Sequence, residues 1–266
     1  MAVPRSVELK RKRANEHLRR LKVEVIRCVT ELNSEGFRRD QDPETGDHIW
    51  LIDAPEAVTE RTSVLAGDFI HNLRSVLDHI VWALASDRER RPLPEFPIYE
   101  HEGPGDNGFY PAGIMKIRSL PPDAKVIIES LQPYKGGNQA LLDIQRLDNT
   151  DKHRRLLASP YHLRGSTIFL PSQEITAPDG RRIVFTSLSK LRMTSGRLNN
   201  GDEFFRVGAG NDPALVEQMG LNLSFRIALD EKGISGAGEI VTKCTKLYEF
   251  VEQVVLSQFK PLWRSV

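Results

Sequence analysis

The sequence is short of features that would assign it directly to a function class. It contains only two cysteines, Cys28 and Cys244, and both lie in apolar, helix-like stretches far apart in the chain. We therefore expect buried free thiols in a reducing compartment, rather than a disulfide or a pair of metal ligands. The formal net charge of +1 provides no overall basic excess of the kind that favours binding to nucleic acid.

Long apolar runs and familiar catalytic motifs are also missing. No stretch approaches the roughly 18–20 apolar residues of a membrane-spanning helix, and residues 1–20 lack the apolar segment of a signal peptide. We therefore expect a cytoplasmic protein that does not contact membranes. The chain has no Walker loop, no GxGxxG turn after a strand, no GxSxG elbow and no HExxH motif, so P-loop hydrolysis, dinucleotide binding and serine hydrolysis have no support.

The sequence does contain clear periodicity. Apolar residues recur at helical spacing in five segments, which are 4–36, 55–87, 123–131, 138–159 and 238–260. About residues 162–230 alternate between apolar and polar and contain turn residues, which predicts an antiparallel sheet of roughly three to five strands. We predict an α+β fold, a bundle of four to five helices with this sheet inserted. Residues 1–266 would form one domain, with a helical core at 4–160 and 236–262.

Two segments have less regular patterns. Residues 48–52 are short and apolar, and they predict either an isolated strand or a packed loop anchored by Trp50. Residues 88–122 are rich in proline and glycine and match no regular element. A long ordered loop of this kind often covers a functional site, but Phe96 and Phe109 could equally be packing anchors.

The central helix carries a polar seam on an otherwise apolar surface. At 100° per residue, one arc of about 100° on this helix contains five polar residues. They are Asp68, His71, Asn72, Ser75 and His79. A mostly apolar helix is usually buried, and buried polar groups need partners, so we expect this seam to face inward and to meet polar groups from another segment.

A second seam lies on the predicted helix over 138–159. Asn149 and His153 share a face with Leu142 and Leu156, so they should point inward and could meet the first seam. Two other acidic residues of this helix are expected to form ordinary surface pairs at i,i+4 spacing, Asp148 with Lys152 and Asp151 with Arg155. Histidines outside the two seams are expected at the surface or in loops, and they are His17, His48, His101 and His162.

The seams allow more than one chemical interpretation. A metal ion could use Asp68 with His71, or His79 with His153, and Asp151 offers a further carboxylate, although no clustered ligand motif is present. The same residues could instead form a hydrogen-bonded network that fixes the helix register without catalysis. We expect no cofactor and no resident metal.

Arg74 and His79 form an Arg-x4-His motif with the polar residue Ser75 after the arginine. This motif, on a helical frame, resembles the HEPN superfamily. Membership would imply metal-independent RNA cleavage, in which His79 transfers protons and Arg74 stabilises charge on the phosphate. The resemblance also implies a homodimer, RNA as a partner, and a toxin or phage-defence type of function. By helical spacing, however, Arg74 lies 140° from His79 and next to Asp78.

The candidate site combines the motif with the two seams. The alternative is a ligand-binding or scaffolding protein in which the polar network is structural. The overall texture, including segments 68–82, 131–134 and 147–157, also resembles bacterial proteins with no assigned function. The candidate catalytic residues are Arg74, His79, His71 and His153, and the candidate supporting residues are Asp68, Asn72, Ser75, Asp78, Asn149, Asp151 and Lys152.

Overall fold

The computed structural model shows the predicted α+β architecture. It describes residues 3–53, 56–86, 93–105, 108–136, 138–153, 158–169, 173–176, 182–185, 188–194, 196–229 and 239–265. The helices within these ranges are α1 (Arg5–Glu35), α2 (Glu56–Leu84), α3 (Pro111–Ile117), α4 (Pro122–Ser130), α5 (Pro133–Gly136), α6 (Gln139–His153), α7 (Pro213–Glu217), α8 (Ile240–Phe250) and α9 (Leu256–Phe259). None of these helices is long and apolar enough to cross a membrane.

The strands form three sheets. They are β1 (Phe37–Gln41), β2 (His48–Ile52), β3 (Ala158–Phe169), β4 (Gln173–Thr176), β5 (Arg182–Phe185), β6 (Arg192–Met193), β7 (Gly196–Arg197), β8 (Glu203–Val207) and β9 (Gly220–Leu229). The largest sheet has the order β1-β2-β8-β6, and two smaller sheets have the orders β7-β3-β9 and β4-β5.

The chain divides into two compact units. The first comprises Met1–Glu24, Arg61–Ala158 and Leu229–Val266, and the second comprises Val25–Glu60 and Ser159–Ala228. The first unit is mainly helical. The second contains the four-stranded sheet.

The apolar periodicity predicted the buried faces of the two long helices correctly. On α2, all eight apolar residues that flank the polar seam are buried: Phe69, Ile70, Leu73, Val76, Leu77, Ile80, Val81 and Leu84. On α1, six apolar residues recur at helical spacing. Five of them are buried, Leu18, Leu21, Val25, Cys28 and Leu32, and Val29 is partly buried. Both cysteines are buried free thiols, as predicted, and burial raises the pKa of Cys244 to about 12.

The four-stranded sheet has a number of strands within the predicted range, but two of its strands lie before α2 and outside the predicted region of about residues 162–230. Strand β2, the segment that was expected to be an isolated strand or a loop, pairs with β1 on one side and with β8 on the other. Trp50 of β2 is buried and packs against Phe205 of β8 at a ring-centroid distance of 5.0 Å. Strand pairing between residues about 150 apart in sequence leaves no local pattern, which explains why the segment could not be placed.

An arginine anchors the turn between β1 and β2 to this sheet. Arg206 of β8 donates hydrogen bonds to Asp42 at 2.7 Å, Asp47 at 3.2 Å and Glu203 at 2.6 Å. These contacts hold the pKa of Asp42 at about 2. The guanidinium therefore joins three carboxylates that would otherwise repel one another.

The helix predicted over 138–159 is shorter than expected, because α6 ends at His153 and strand β3 begins at Ala158. The predicted C-terminal helix is also divided. A π-helical turn over Val251–Val255 separates α8 from α9, and a 3-10 segment over Lys260–Ser265 follows.

The proline-rich segment contains α3 and, before it, an extended stretch over 93–99 that belongs to none of the described sheets. There, side chains rather than a neighbouring strand form hydrogen bonds with the backbone. Gln132, which is fully buried, donates to the carbonyl oxygen of Pro97 at 2.8 Å and accepts from the Tyr99 N–H at 3.0 Å. Phe96 and Phe109 are buried packing anchors.

We expect Gln132→Ala to lower the free energy of unfolding by roughly 2–4 kcal/mol, because it leaves two buried backbone groups without partners. Urea unfolding measures this change. Gln253→Ala removes the same side chain from an exposed position and should change stability by less than about 0.5 kcal/mol. Equal stability of the two variants would show that the Gln132 contacts contribute little.

Candidate functional site

Arg74 and Asp78 hold the backbone of Phe96 from both sides. The buried guanidinium of Arg74 donates to Asp78 Oδ1 at 2.7 Å, to the Phe96 carbonyl oxygen at 2.8 Å and to Glu95 Oε1 at 3.1 Å. Asp78 Oδ1 also accepts the Phe96 N–H at 3.0 Å. The predicted i,i+4 neighbourhood of Arg74 and Asp78 is thus confirmed, and both side chains have a structural use.

A second cation, Lys116, contacts the carboxylate of Glu95. Lys116 Nζ lies 2.7 Å from Glu95 Oε2, so each oxygen of this carboxylate faces one cation. Burial raises the pKa of Asp78, although Arg74 and the Phe96 N–H oppose this effect. Arg74, Lys116, Asp78 and Glu95 form the charged cluster of the site.

This charged cluster lines a polar pocket of about 190 Å³ within the first unit. Helix α6 completes its wall with Gln145, Asp148 and Asn149. Gln145 Oε1 is buried and has no hydrogen-bond partner among the described residues. The volume is smaller than the roughly 300–1,000 Å³ of pockets for drug-sized ligands, so it suits a small polar group.

His71 and Asp148 form a carboxylate–imidazole pair beside this pocket. His71 Nδ1 lies 3.1 Å from Asp148 Oδ1, and the imidazole is half exposed whereas the carboxylate is buried. Because a carboxylate can only accept, the contact favours the tautomer with hydrogen on Nδ1 and leaves the Nε2 lone pair free. Asp148 was expected at the surface and is instead buried, and the side chain of Lys152, its predicted partner, lies outside the described residues.

His79 lies away from the polar pocket. Together with Asp78, Trp82 and Pro94 it lines a separate cavity of about 170 Å³. Its Nδ1 is buried and has no hydrogen-bond partner among the described residues. Burial, and to a smaller extent Lys10, lowers the pKa of His79. Asp78 is the side chain that lines both cavities.

The expectation that the polar seam of α2 faces inward is wrong for its first half. Asp68 and His71 are exposed, and the Asn72 amide donates to the Asp68 carbonyl oxygen of its own helix at 2.8 Å. Ser75 is partly buried. The buried polar residue in this part of α2 is instead Arg74, one position before Ser75, and Asp78, one position before His79, is partly buried.

The second seam is also placed differently from the prediction. Asn149 is exposed at the pocket wall rather than directed inward, and Asp148 is the buried residue. Asp151 packs against α2 so closely that its carboxylate would clash with a Cβ added at Gly67. The side chains of Lys152 and His153 lie outside the described part of the chain.

His17 is not a surface histidine, which corrects the prediction. Only 4% of it is exposed, and its Nδ1 lies 3.7 Å from Asp68 Oδ2, beyond hydrogen-bonding distance. Burial lowers the pKa of His17, Arg13 and Arg20 add to this effect, and Asp68 opposes it.

Among the residues whose side chains are described, no three histidine, cysteine, aspartate or glutamate residues are placed to hold a metal ion. The combination of Asp68 with His71 therefore gains no third ligand there.

Sequence reasoning missed Glu95, Lys116 and Gln145. The prolines on either side of Glu95 do favour an extended segment, and that was the one available signal. The sequence does not show which helix the segment around Glu95 packs against, because that contact depends on the tertiary structure.

No family model matches the chain, and no curated protein or solved structure shows significant similarity to it. The resemblance to HEPN proteins stays a prediction from Arg74, Ser75 and His79.

Acidification should destabilise the folded chain through His17 and His79. Burial lowers the pKa of both below the usual 6.5, so the unfolded chain binds protons first as the pH falls. The stability that these two histidines contribute is fully present above about pH 6.5, the pKa of the unfolded chain. It is lost as the pH falls from that value through the lower pKa of the folded state. Urea unfolding at about pH 7.5 and about pH 5.5 should show a smaller loss for His17→Gln than for wild type. The exposed control His101→Gln should retain the wild-type loss, and an unchanged loss in His17→Gln would contradict the prediction.

Arg74→Ala should lower the free energy of unfolding by about 3–5 kcal/mol, because it leaves Asp78 and the Phe96 carbonyl without their buried donor. Urea unfolding measures the effect. Arg13, which pairs with Glu16 at the surface, provides the control, since Arg13→Ala should change stability by less than about 0.5 kcal/mol. A stable Arg74→Ala variant would remove the structural interpretation of this arginine.

Proposed function

We propose that the chain is a metal-independent, HEPN-like ribonuclease in which His71, rather than His79, transfers the proton. The observation that carries this proposal is the contact of His71 with the buried carboxylate of Asp148, which itself lines the pocket of Arg74 and Lys116. His71 and Arg74 are three residues apart on one helix face, whereas His79 lies 140° from Arg74 and in another cavity.

The chemistry follows from the states of these groups. His71 Nε2 accepts the proton of a ribose 2′-hydroxyl, and the 2′-oxygen forms a bond to phosphorus while the bond from phosphorus to the 5′-oxygen breaks. Water protonates the leaving 5′-oxygen. Asp148 holds the imidazole in the required tautomer and stabilises its protonated form. Lys116 and Arg74 stabilise the negative charge that develops on the phosphate oxygens.

The proposal includes RNA as the partner and a homodimer, as the HEPN resemblance implies. It requires no resident metal or cofactor, because proton transfer and charge stabilisation are both assigned to side chains.

A second candidate function is binding of a small polar ligand without catalysis. The specific observation in its favour is that Arg74 already donates to Asp78, Glu95 and Phe96. Under this alternative the charged cluster fixes the extended segment over 93–99, and the pocket binds a ligand without transforming it.

Incubation of the purified chain with total RNA in EDTA tests the proposal. Wild type should cleave, and His71→Ala should lower the rate by roughly 10²- to 10⁴-fold because the general base is lost. Asp148→Asn should lower the rate as well, since an amide favours the wrong tautomer. His79→Ala and the exposed control His101→Ala should retain most activity.

Thermal unfolding of each variant separates loss of chemistry from loss of folding. If His79→Ala loses as much activity as His71→Ala while remaining folded, the proton-transfer function belongs to His79. If folded wild type does not cleave RNA, the ligand-binding alternative replaces the proposal.

A further inference from the structure

Glu95 occupies the one position where both cations of the pocket converge. Its Oε1 lies 3.1 Å from Arg74 Nη2 and its Oε2 lies 2.7 Å from Lys116 Nζ. Two cations that approach the two oxygens of one anion are the arrangement by which proteins bind carboxylate and phosphate groups. The Glu95 carboxylate thus fills an anion site with a group of the chain itself.

The side chains of this cluster differ in their freedom to move. The Arg74 side chain is 9% exposed, whereas those of Glu95 and Lys116 are 42% and 30% exposed. Arg74 is also held by Asp78 and Phe96, and these two contacts do not involve Glu95. Glu95 can therefore turn toward solvent while the guanidinium stays in place.

A buried acceptor on α6 indicates what accompanies the anion. Gln145 lines the same pocket, and its Oε1 is buried with no hydrogen-bond partner among the described residues. A buried acceptor without a donor is costly, and a hydroxyl group from a ligand would satisfy it. A ribose phosphate supplies both an anion and hydroxyl donors in a small polar group.

We propose that the space held by the Glu95 carboxylate is a phosphate subsite for a ribose phosphate, and that Glu95 must swing out before the phosphate binds. Arg74 and Lys116 then contact the phosphate oxygens, and Gln145 accepts a ribose hydroxyl. This inference rests on the proposed function in that it names the substrate group at the same site. The Glu95 carboxylate competes with the incoming phosphate for Arg74 and Lys116, because two anions that share these cations would repel each other strongly.

Isothermal titration calorimetry with three probes tests the subsite: inorganic phosphate, cytidine 3′-monophosphate and cytidine. Glu95→Gln should bind both phosphate-containing probes about tenfold more tightly than wild type, since it removes the competing charge and keeps the side-chain shape. Lys116→Met should bind both more weakly than wild type. Gln145→Ala should weaken binding of the nucleotide but not of inorganic phosphate, and cytidine should gain nothing from Glu95→Gln.

Glu100→Gln is the matched control, because it removes the same charge from the same stretch of chain. Glu100 pairs with Arg146 at 2.8 Å and does not line the pocket, so this variant should bind like wild type. The proposal is overturned if Glu95→Gln gains no more affinity than Glu100→Gln, or if Lys116→Met binds as well as wild type.

The binding measurement is independent of catalysis. Tighter phosphate binding by Glu95→Gln in a chain that does not cleave RNA would support the phosphate subsite and contradict the proposed ribonuclease activity. RNA cleavage that depends on His71, with no gain in phosphate binding by Glu95→Gln, would remove the subsite and leave the ribonuclease.

Discussion

Buried peptide groups must be hydrogen bonded, and the extended stretch over 93–99 has no described strand beside it to satisfy them. Three side chains meet this requirement. Arg74 and Asp78 form hydrogen bonds with the backbone of Phe96, and Gln132 forms hydrogen bonds with the backbone of Pro97 and Tyr99. The buried polarity of α2 is therefore explained first by the backbone that it supports, and the charged cluster of the pocket follows from it.

The same support creates the conditions for chemistry. Glu95 precedes Phe96, so fixing Phe96 brings an acidic side chain to Arg74 and Lys116. The cluster contains two cations and two carboxylates, so its charges nearly balance. This pairing offsets part of the free energy that removing the Arg74 guanidinium from water costs. An incoming anion must consequently replace Glu95 rather than simply join it.

The histidines of the first unit differ because their surroundings differ. His71 has a carboxylate partner and an exposed edge, which is the arrangement that the proposed proton transfer requires. His79 and His17 are held in surroundings that lower the pKa of each imidazole and oppose its protonation. A histidine in an Arg-x4-His motif is therefore not automatically the one with acid–base geometry, and the neighbour that orients each ring is the more informative feature.

The sequence by itself determined the α+β class, the buried faces of α1 and α2, the free thiols and the Arg74–Asp78 pair, because all of these depend on residues within a few turns of one another. It could not place β2 in a sheet with β8, bury His17, or bring Glu95 to Arg74 and His71 to Asp148. Those contacts join segments 21 to about 150 residues apart, and a single sequence contains no periodic signal for which distant surfaces meet. The tertiary structure decided them through the packing of the helices and the need to satisfy buried polar groups.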